Sequence, residues 1–406
     1  HPSSFILSMP SNDKTDGTSR RVFCRLAVAG VTGAVLRSTL DEPVISAAAR
    51  DWLLYVGTYT NNTGSEGIYL CRMNGGTGEL KIQRAFGGAK SPAFLAIDAK
   101  RQFLYAASEV PDFNGGKTGA AAAYAMDRAT GDLKLLNQQA VPGVPCHVSV
   151  DRTRKCIVVA NYGGGNVAVL PVNPDGSLAP VSDTRQHTGV GPNKARQGEP
   201  HAHCAIIDPN NRFAYSADLG LDKVMIYQLD AKAGKLTPHT QPWASVKPGA
   251  GPRHFTIHPK GKHAFVINEL DATLTVFDYD GAKGTLNAAQ AVSTLPEGFT
   301  GTSYCADVHV HPSGRFVYGS NRGHNSIAVF AFDAGRLTPL QHQSTMGDWP
   351  RNFAVDPAGD FLLVANQRSS DIFVFRIDRV TGRLSDTGHK LAVPAPVCLK
   401  LIPAPK

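Results

Sequence analysis

Arg253, His254 and Glu269 are the first residues in this sequence whose types and spacing suggest chemistry. They lie in Gly251–Leu270, GPRHFTIHPKGKHAFVINEL. PRHFTIHP and HAFVINEL read as strands, and PKGK between them supplies the Pro and Gly of a turn. In an antiparallel hairpin the start of the first strand lies beside the end of the second. Arg253 and His254 therefore meet Glu269 on one rim, giving a guanidinium, an imidazole and a carboxylate in one place. A plain ion pair stiffening a surface hairpin is the alternative. His201-Ala202-His203 is the second candidate. Residues i and i+2 of a strand point the same way, so both imidazoles are expected on one surface, as an acid–base or substrate-binding pair or as metal ligands. Arginines expected nearby disfavour a divalent cation, so no metal and no cofactor is expected. The long Gly-rich loop before them, 188–199 (TGVGPNKARQGE), is expected to fold over the site as a lid.

The elements that must position these groups repeat along the chain. A Gly-x-Leu tag follows a β-rich run at Gly78, Gly131, Gly176, Gly234, Gly284, Gly335 and Gly382, with gaps of 53, 45, 58, 50, 51 and 47 residues. A period near 50 with short strands and no helical periodicity is the signature of a propeller. Each unit reads as a strand, a D-P-x-G-like turn (IIDPNNR, VHPSGR, VDPAGD), then a second strand (FAYSAD, FVYGSN, FLLVAN) and a third (KVMIYQLD, SIAVFAFD, DIFVFRID). The first unit opens on a second-strand pattern, LLYVGTYT, and the C-terminus carries an orphan strand, Val397–Ile402. The expected fold is all-β, a seven-bladed β-propeller whose C-terminal strand completes blade one and closes the ring. Six or eight blades, or two β-sandwiches, are the alternatives, and the even spacing weighs against sandwiches.

In such a ring the first strand of each blade lines the central channel, and its start meets the end of the second strand on one face. Those positions are uneven around the ring. They hold Tyr59 in blade one, Glu109 in blade two, and His147, Asn161 and Tyr162 in blade three. Blade four has His201, His203 and Asp218, and blade five Arg253, His254 and Glu269. Blade six has Asp307, Asn321 and Arg322, and blade seven Arg351, Asn366 and Gln367. A pure scaffold would repeat one residue type. The asymmetry marks this face as functional, with His147, Asn161, Asp218, His254, Asp307, Asn321, Arg351 and Asn366 as substrate-binding candidates. An Asn or Asp ending a second strand can instead cap the following turn, which stays open for Asn161, Asp218, Asn321 and Asn366. His258 and His311 start turns and read as structural. His263 reads as an exposed strand residue.

Composition narrows the function classes. The chain has 406 residues with 42% hydrophobic and 18% charged residues, a globular balance. Its net charge of +8 is scattered, with no basic run or stripe, so nucleic-acid binding is not indicated. Ser19-Arg20-Arg21-Val22-Phe23 followed by the weakly apolar run 26–36 and by Ala47-Ala48-Ala49 is similar to a twin-arginine export signal. Residues 1–50 are expected to be an export leader and 51–406 a single propeller domain, with a periplasmic location; a cytoplasmic one is the alternative. The eleven apolar residues are too few to cross a bilayer, and no stable membrane insertion is expected. Six cysteines lie beyond the leader, without C-x-x-C spacing, and read as buried free thiols. Oligomeric state is left open.

Around these residues the chain resembles the seven-bladed propeller lactonase family, which includes bacterial 6-phosphogluconolactonases and is related to fungal carboxy-muconate lactonizing enzymes. The resemblance rests on P-H-A-H at 200–203, G-P-R-H at 251–254, N-E-L at 268–270, Ala306-Asp307, S-N-R-G at 320–323, W-P-R-N-F at 349–353 and A-N-Q at 365–367. It covers roughly residues 53–403. It implies an active site of His201 or His203, Arg253, Glu269 and Arg322, and a small anionic or sugar-lactone substrate. Lactone hydrolysis needs a base for water and positive charge at the developing oxyanion. Glu269, His201 or His203 would be the base, Arg253 would stabilise the oxyanion, and Arg322 would hold a phosphate or carboxylate. A non-catalytic propeller binding a ligand or protein on this face, and a lactonizing enzyme, are the competing implications.

Overall fold

A computed structural model describes residues 50–405; the proposed leader lies outside the described residues. The chain folds into seven four-stranded antiparallel sheets. Six are built from consecutive strands. The seventh joins the C-terminal strand Pro396–Pro403 to Trp52–Thr58, in register from Trp52 opposite Pro403 to Gly57 opposite Cys398. Blade one is thus completed by the end of the chain, as expected, and its inner edge is covered.

Neighbouring blades share apolar layers. Leu54 and Val56 of blade one pack with Phe361, Leu363 and Val374 of blade seven. Phe316 and Tyr318 of blade six pack with Phe353 and Phe375 of blade seven. Strands packed between two sheets are buried on both faces, which is why the second and third strands read as unbroken apolar runs. Full burial of each such side chain contributes about 1.5–3 kcal/mol.

The Gly-x-Leu tag joins blade to blade. Tyr215 in blade four donates its hydroxyl to the Gly284 carbonyl of blade five at 3.0 Å, and Tyr318 in blade six does the same to Gly382 of blade seven at 3.0 Å. Gly284 and Gly382 have φ of 75° and 73°, and a Cβ there would meet Phe213 at 2.7 Å and Phe316 at 2.3 Å. Only glycine serves on both counts. His258 and His311 are also linkers. Each accepts a turn amide on Nδ1, and each faces the turn glycine carbonyl of the next blade with Nε2, Gly314 at 2.8 Å and Gly359 at 3.0 Å. Their structural reading holds. His263 is only partly exposed and lies 3.4 Å from Asp278.

A feature the strand patterns hid is a β-bulge at the start of several inner strands. The register skips one residue at Ala93, Cys146, Arg253 and Arg351, each following a proline. In a regular strand Arg253 and His254 would point to opposite faces. The bulge re-aims the extra side chain, and the Arg253 guanidinium reaches the His254 ring, 3.3 Å from Nη1 to Nε2.

Candidate active site

The ends of the second strands and the bulged starts of the inner strands surround a cavity of about 210 Å³, lined by Glu109, Cys146, Tyr162, Arg196, His203, Glu269, Arg322 and Arg351. A narrow crevice shares Glu109, Cys146 and Arg351 with it and continues to Arg253, His254 and Phe94. Four guanidinium groups therefore converge with two carboxylates.

Glu269 is the hub. Its Oε2 accepts from Arg253 Nε at 3.0 Å and pairs with Arg322 Nη2 at 2.7 Å, while Oε1 accepts from Arg196 Nη2 at 2.7 Å. Burial opposes its ionisation, but the charges of Arg322, Arg253 and Arg196 outweigh burial and hold the carboxyl at about 2, below its ordinary 4.5. The hairpin places Arg253 beside Glu269 as the sequence implied. Arg196 arrives from the 188–199 loop, so that loop reaches the channel mouth.

The arginines differ in how far their donors are committed. Arg253 also donates to the Ala306 carbonyl, and Arg322 donates to the carbonyls of Tyr304 at 3.3 Å and Cys305 at 2.7 Å. Burial, partly offset by Glu269, lowers Arg322 to about 10, so it stays charged at neutral pH. Arg351 stands 3.6 Å from Glu109, beyond an ordinary hydrogen bond, with its guanidinium over the Tyr59 ring at 5.3 Å. Arg196 lies over the Tyr304 ring at 5.9 Å. Arg351 and Arg196 are the two with the most donors to spare, and Arg322 keeps its Nη1.

Beneath the mouth, His254 Nδ1 donates to Asp307 Oδ1 at 2.7 Å, which leaves Nε2 to accept from Arg253. His309 Nε2 at 3.0 Å and the Asn352 amide complete the shell of Asp307. Burial disfavours the Asp307 carboxylate, and these donors keep it well below the usual range. Burial, reinforced by Arg253, lowers His254 to about 4, and His203 lies well below its usual value for the same two reasons. Both imidazoles are neutral at pH 7. Asp307 therefore acts as an acceptor that orients His254 and, through it, Arg253.

Of the residues singled out in the sequence, His203, Glu269, Arg322 and Arg351 line the cavity, with Arg253 and His254 in the crevice below. The others lie elsewhere. His147 is deeper in the channel, packed on Phe94 at 4.1 Å and accepting the Ala205 amide at 3.3 Å. His201 does not join His203 in lining the mouth. Residues 200–205 form only an isolated bridge rather than a strand, so period-2 alternation does not apply. His201 instead stacks on Tyr162 at 4.3 Å, while His203 meets the same ring edge-on at 5.4 Å.

Asp218 is buried and occupied, accepting the His201 and Gly220 amides and pairing with His187 at 2.6 Å. Asn161, Asn321 and Asn366 each donate to the side chain five residues on, Asn166, Ser326 and Asp371. These four pin the turns after their strands, the alternative left open for them.

Glu109, Tyr59 and Tyr162 occupy ring positions that the repeat identified without assigning them a role. Arg196 had no signal beyond the lid loop, and Cys146 had none beyond its place beside His147. All six cysteines in the described residues are buried and free, as their apolar contexts suggested. Among the described residues no helix is long and apolar enough to cross a membrane.

Comparison with known proteins agrees with this architecture. A 6-phosphogluconolactonase of Bacillus subtilis is 41% identical over 352 residues, 86% of this chain and 97% of that protein. A 6-phosphogluconolactonase of Formosa agariphila is 33% identical over 84% of this chain and 96% of its own. The solved structure of a periplasmic gluconolactonase of Pseudomonas aeruginosa superposes with a TM-score of 0.81 at 32% identity, covering 87% of this chain and all of that one. The family described as lactonase, 7-bladed beta-propeller, matches residues 53–401, and this chain belongs to it.

Proposed function

We propose that the protein hydrolyses a sugar lactone, and that the four-arginine mouth is where it does so. The observation that carries this reading is the charge imbalance of the cavity: four guanidinium groups face two carboxylates, and Arg351 and Arg196 keep most of their donors uncommitted. Such a mouth favours a substrate with its own negative group and a reaction that develops an oxyanion. Arg351 and Arg196 hold the substrate's anionic group. Arg322, fixed by two backbone carbonyls and Glu269, stabilises the carbonyl oxygen as water adds. Arg253, locked below by Glu269, His254 and Ala306, is the rigid support. Anion binding thus falls to Arg351 and Arg196 and oxyanion stabilisation to Arg322, which all line the cavity, whereas Arg253 lies in the crevice below.

On charge, 6-phosphogluconolactone is the better substrate, and the relatives named for that activity support it. A second reading is favoured by the resemblance to a periplasmic gluconolactonase together with the twin-arginine pattern. If residues 1–50 are an export leader and 51–406 the mature propeller, an unphosphorylated lactone is the substrate available outside the cytoplasm. The test is base uptake at constant pH by the purified full chain on 6-phosphoglucono-δ-lactone and on glucono-δ-lactone, against the spontaneous rate. No excess on either sinks the hydrolase reading. Sequencing the N-terminus of the exported protein tests the leader, which predicts a start near Arg50.

A further inference from the structure

We propose that Glu109 is the base that activates the hydrolytic water, with Tyr59 holding it in position. This rests on the lactone-hydrolysis reading of the mouth. Glu109 and Glu269 occupy equivalent positions, each just past the end of a second strand, Phe103–Ser108 in blade two and His263–Asn268 in blade five. Three blades apart in a ring of seven, they approach one cavity from opposite sides. Their surroundings differ sharply. Glu269 pairs with three guanidinium groups and is a hub for charge. Glu109 Oε2 accepts one bond, from the Tyr59 hydroxyl at 2.8 Å, and its Oε1 has only the Arg351 guanidinium near it, at 3.6 Å. Oε1 therefore keeps lone pairs open to a water in the cavity.

Paired carboxylates in unlike environments divide the labour in many active sites. Here Glu269 sets the field, and Glu109 moves the proton. The groups facing Glu109 are Tyr59 from blade one, Arg351 from blade seven and Cys146 from blade three. Burial keeps the Tyr59 phenol and the Cys146 thiol protonated, so neither competes for the proton. Burial and, after it, the Arg253 charge oppose protonation of His203, the other group in the cavity able to accept one.

The step balances within the site. Glu109 takes a proton from water as the water oxygen bonds to the lactone carbonyl carbon, and the carbonyl oxygen becomes an oxyanion facing Arg322. The oxyanion collapses, the ring C–O bond breaks, and the proton passes from Glu109 to the departing ring oxygen. Water and lactone give the open hydroxy acid, and Glu109 is again a carboxylate.

Steady-state kinetics of Glu109→Gln, Glu109→Asp and Glu109→Ala tests this. Glu109→Gln is expected to lower kcat by about 10²–10⁴-fold, with KM changed only a few-fold. Glu109→Asp keeps a carboxylate and should retain more kcat than Glu109→Gln. Added formate partly restores Glu109→Ala, which a merely structural role would not allow. A Glu109→Gln kcat within about threefold of wild type, or a loss confined to KM, overturns the assignment. An inactive wild type on both lactones would instead remove the hydrolase reading itself, a different result.

Discussion

Replacing Glu269 with Gln isolates the hub of the site. The change preserves shape but removes the charge to which Arg322, Arg196 and Arg253 bind at 2.7, 2.7 and 3.0 Å, and it turns one acceptor oxygen into a donor facing a guanidinium. Arg253 and Arg322 are almost fully buried, with side chains 2% and 6% exposed, so losing the partner leaves both charges largely unpaired. Breaking a buried pair from one side costs about 3–5 kcal/mol. A domain of this length unfolds with an entropy that makes each kcal/mol worth about 1.4 °C, so Tm should fall by about 4–7 °C at pH 7. The sign with pH follows from the depressed folded-state value. The carboxylate's contribution is complete above its ordinary 4.5 and is lost as pH falls toward about 2. The Tm gap between wild type and variant should therefore close across that window. Thermal melts of both proteins at pH 7, 5, 4 and 3 measure it. A gap below about 1 °C at pH 7, or one that does not shrink on acidification, would refute the hub.

Two further substitutions probe separate parts of the account. Arg351→Ala should raise KM for a phosphorylated lactone by at least about tenfold, the scale of one charge-assisted hydrogen bond, and change an uncharged lactone much less; equal effects on both would remove Arg351 from anion binding. Tyr215→Phe leaves the buried Gly284 carbonyl without its 3.0 Å donor and should cost about 1–3 kcal/mol, read by denaturant midpoint, with kinetics unaltered.

The sequence made the ring legible because a propeller repeats its own grammar. The Gly-x-Leu spacing counted the blades, and the missing first strand of blade one matched the orphan at Val397–Ile402. The Arg253–Glu269 pairing was also readable, since a hairpin brings together residues 16 apart. What stayed hidden depended on departures from regular geometry or on contacts across the ring. The bulges at Arg253 and Arg351 break the alternation that a strand pattern assumes, and the P-x-[HN] repeat is their only trace. His201 was misplaced because 200–205 leaves the strand conformation. Asp218, Asn161, Asn321 and Asn366 sat at the right rim but turned their polar atoms to neighbouring side chains and backbone, His187, Asn166, Ser326 and Asp371 among them. Arg196 is 73 residues from Glu269, and Tyr59 is 50 from Glu109; no local pattern links such pairs.

A mouth with more guanidinium groups than carboxylates is suited to bind and open an anionic lactone. The ratio of kcat/KM for 6-phosphoglucono-δ-lactone to that for glucono-δ-lactone, measured on one preparation at low and at high salt, tests it most directly. The ratio should exceed about ten, equivalent to roughly 1.4 kcal/mol of preferential binding in the transition state, and fall as salt screens the arginines at the open rim. A ratio at or below one, or no hydrolysis of either lactone above the spontaneous rate, would contradict it.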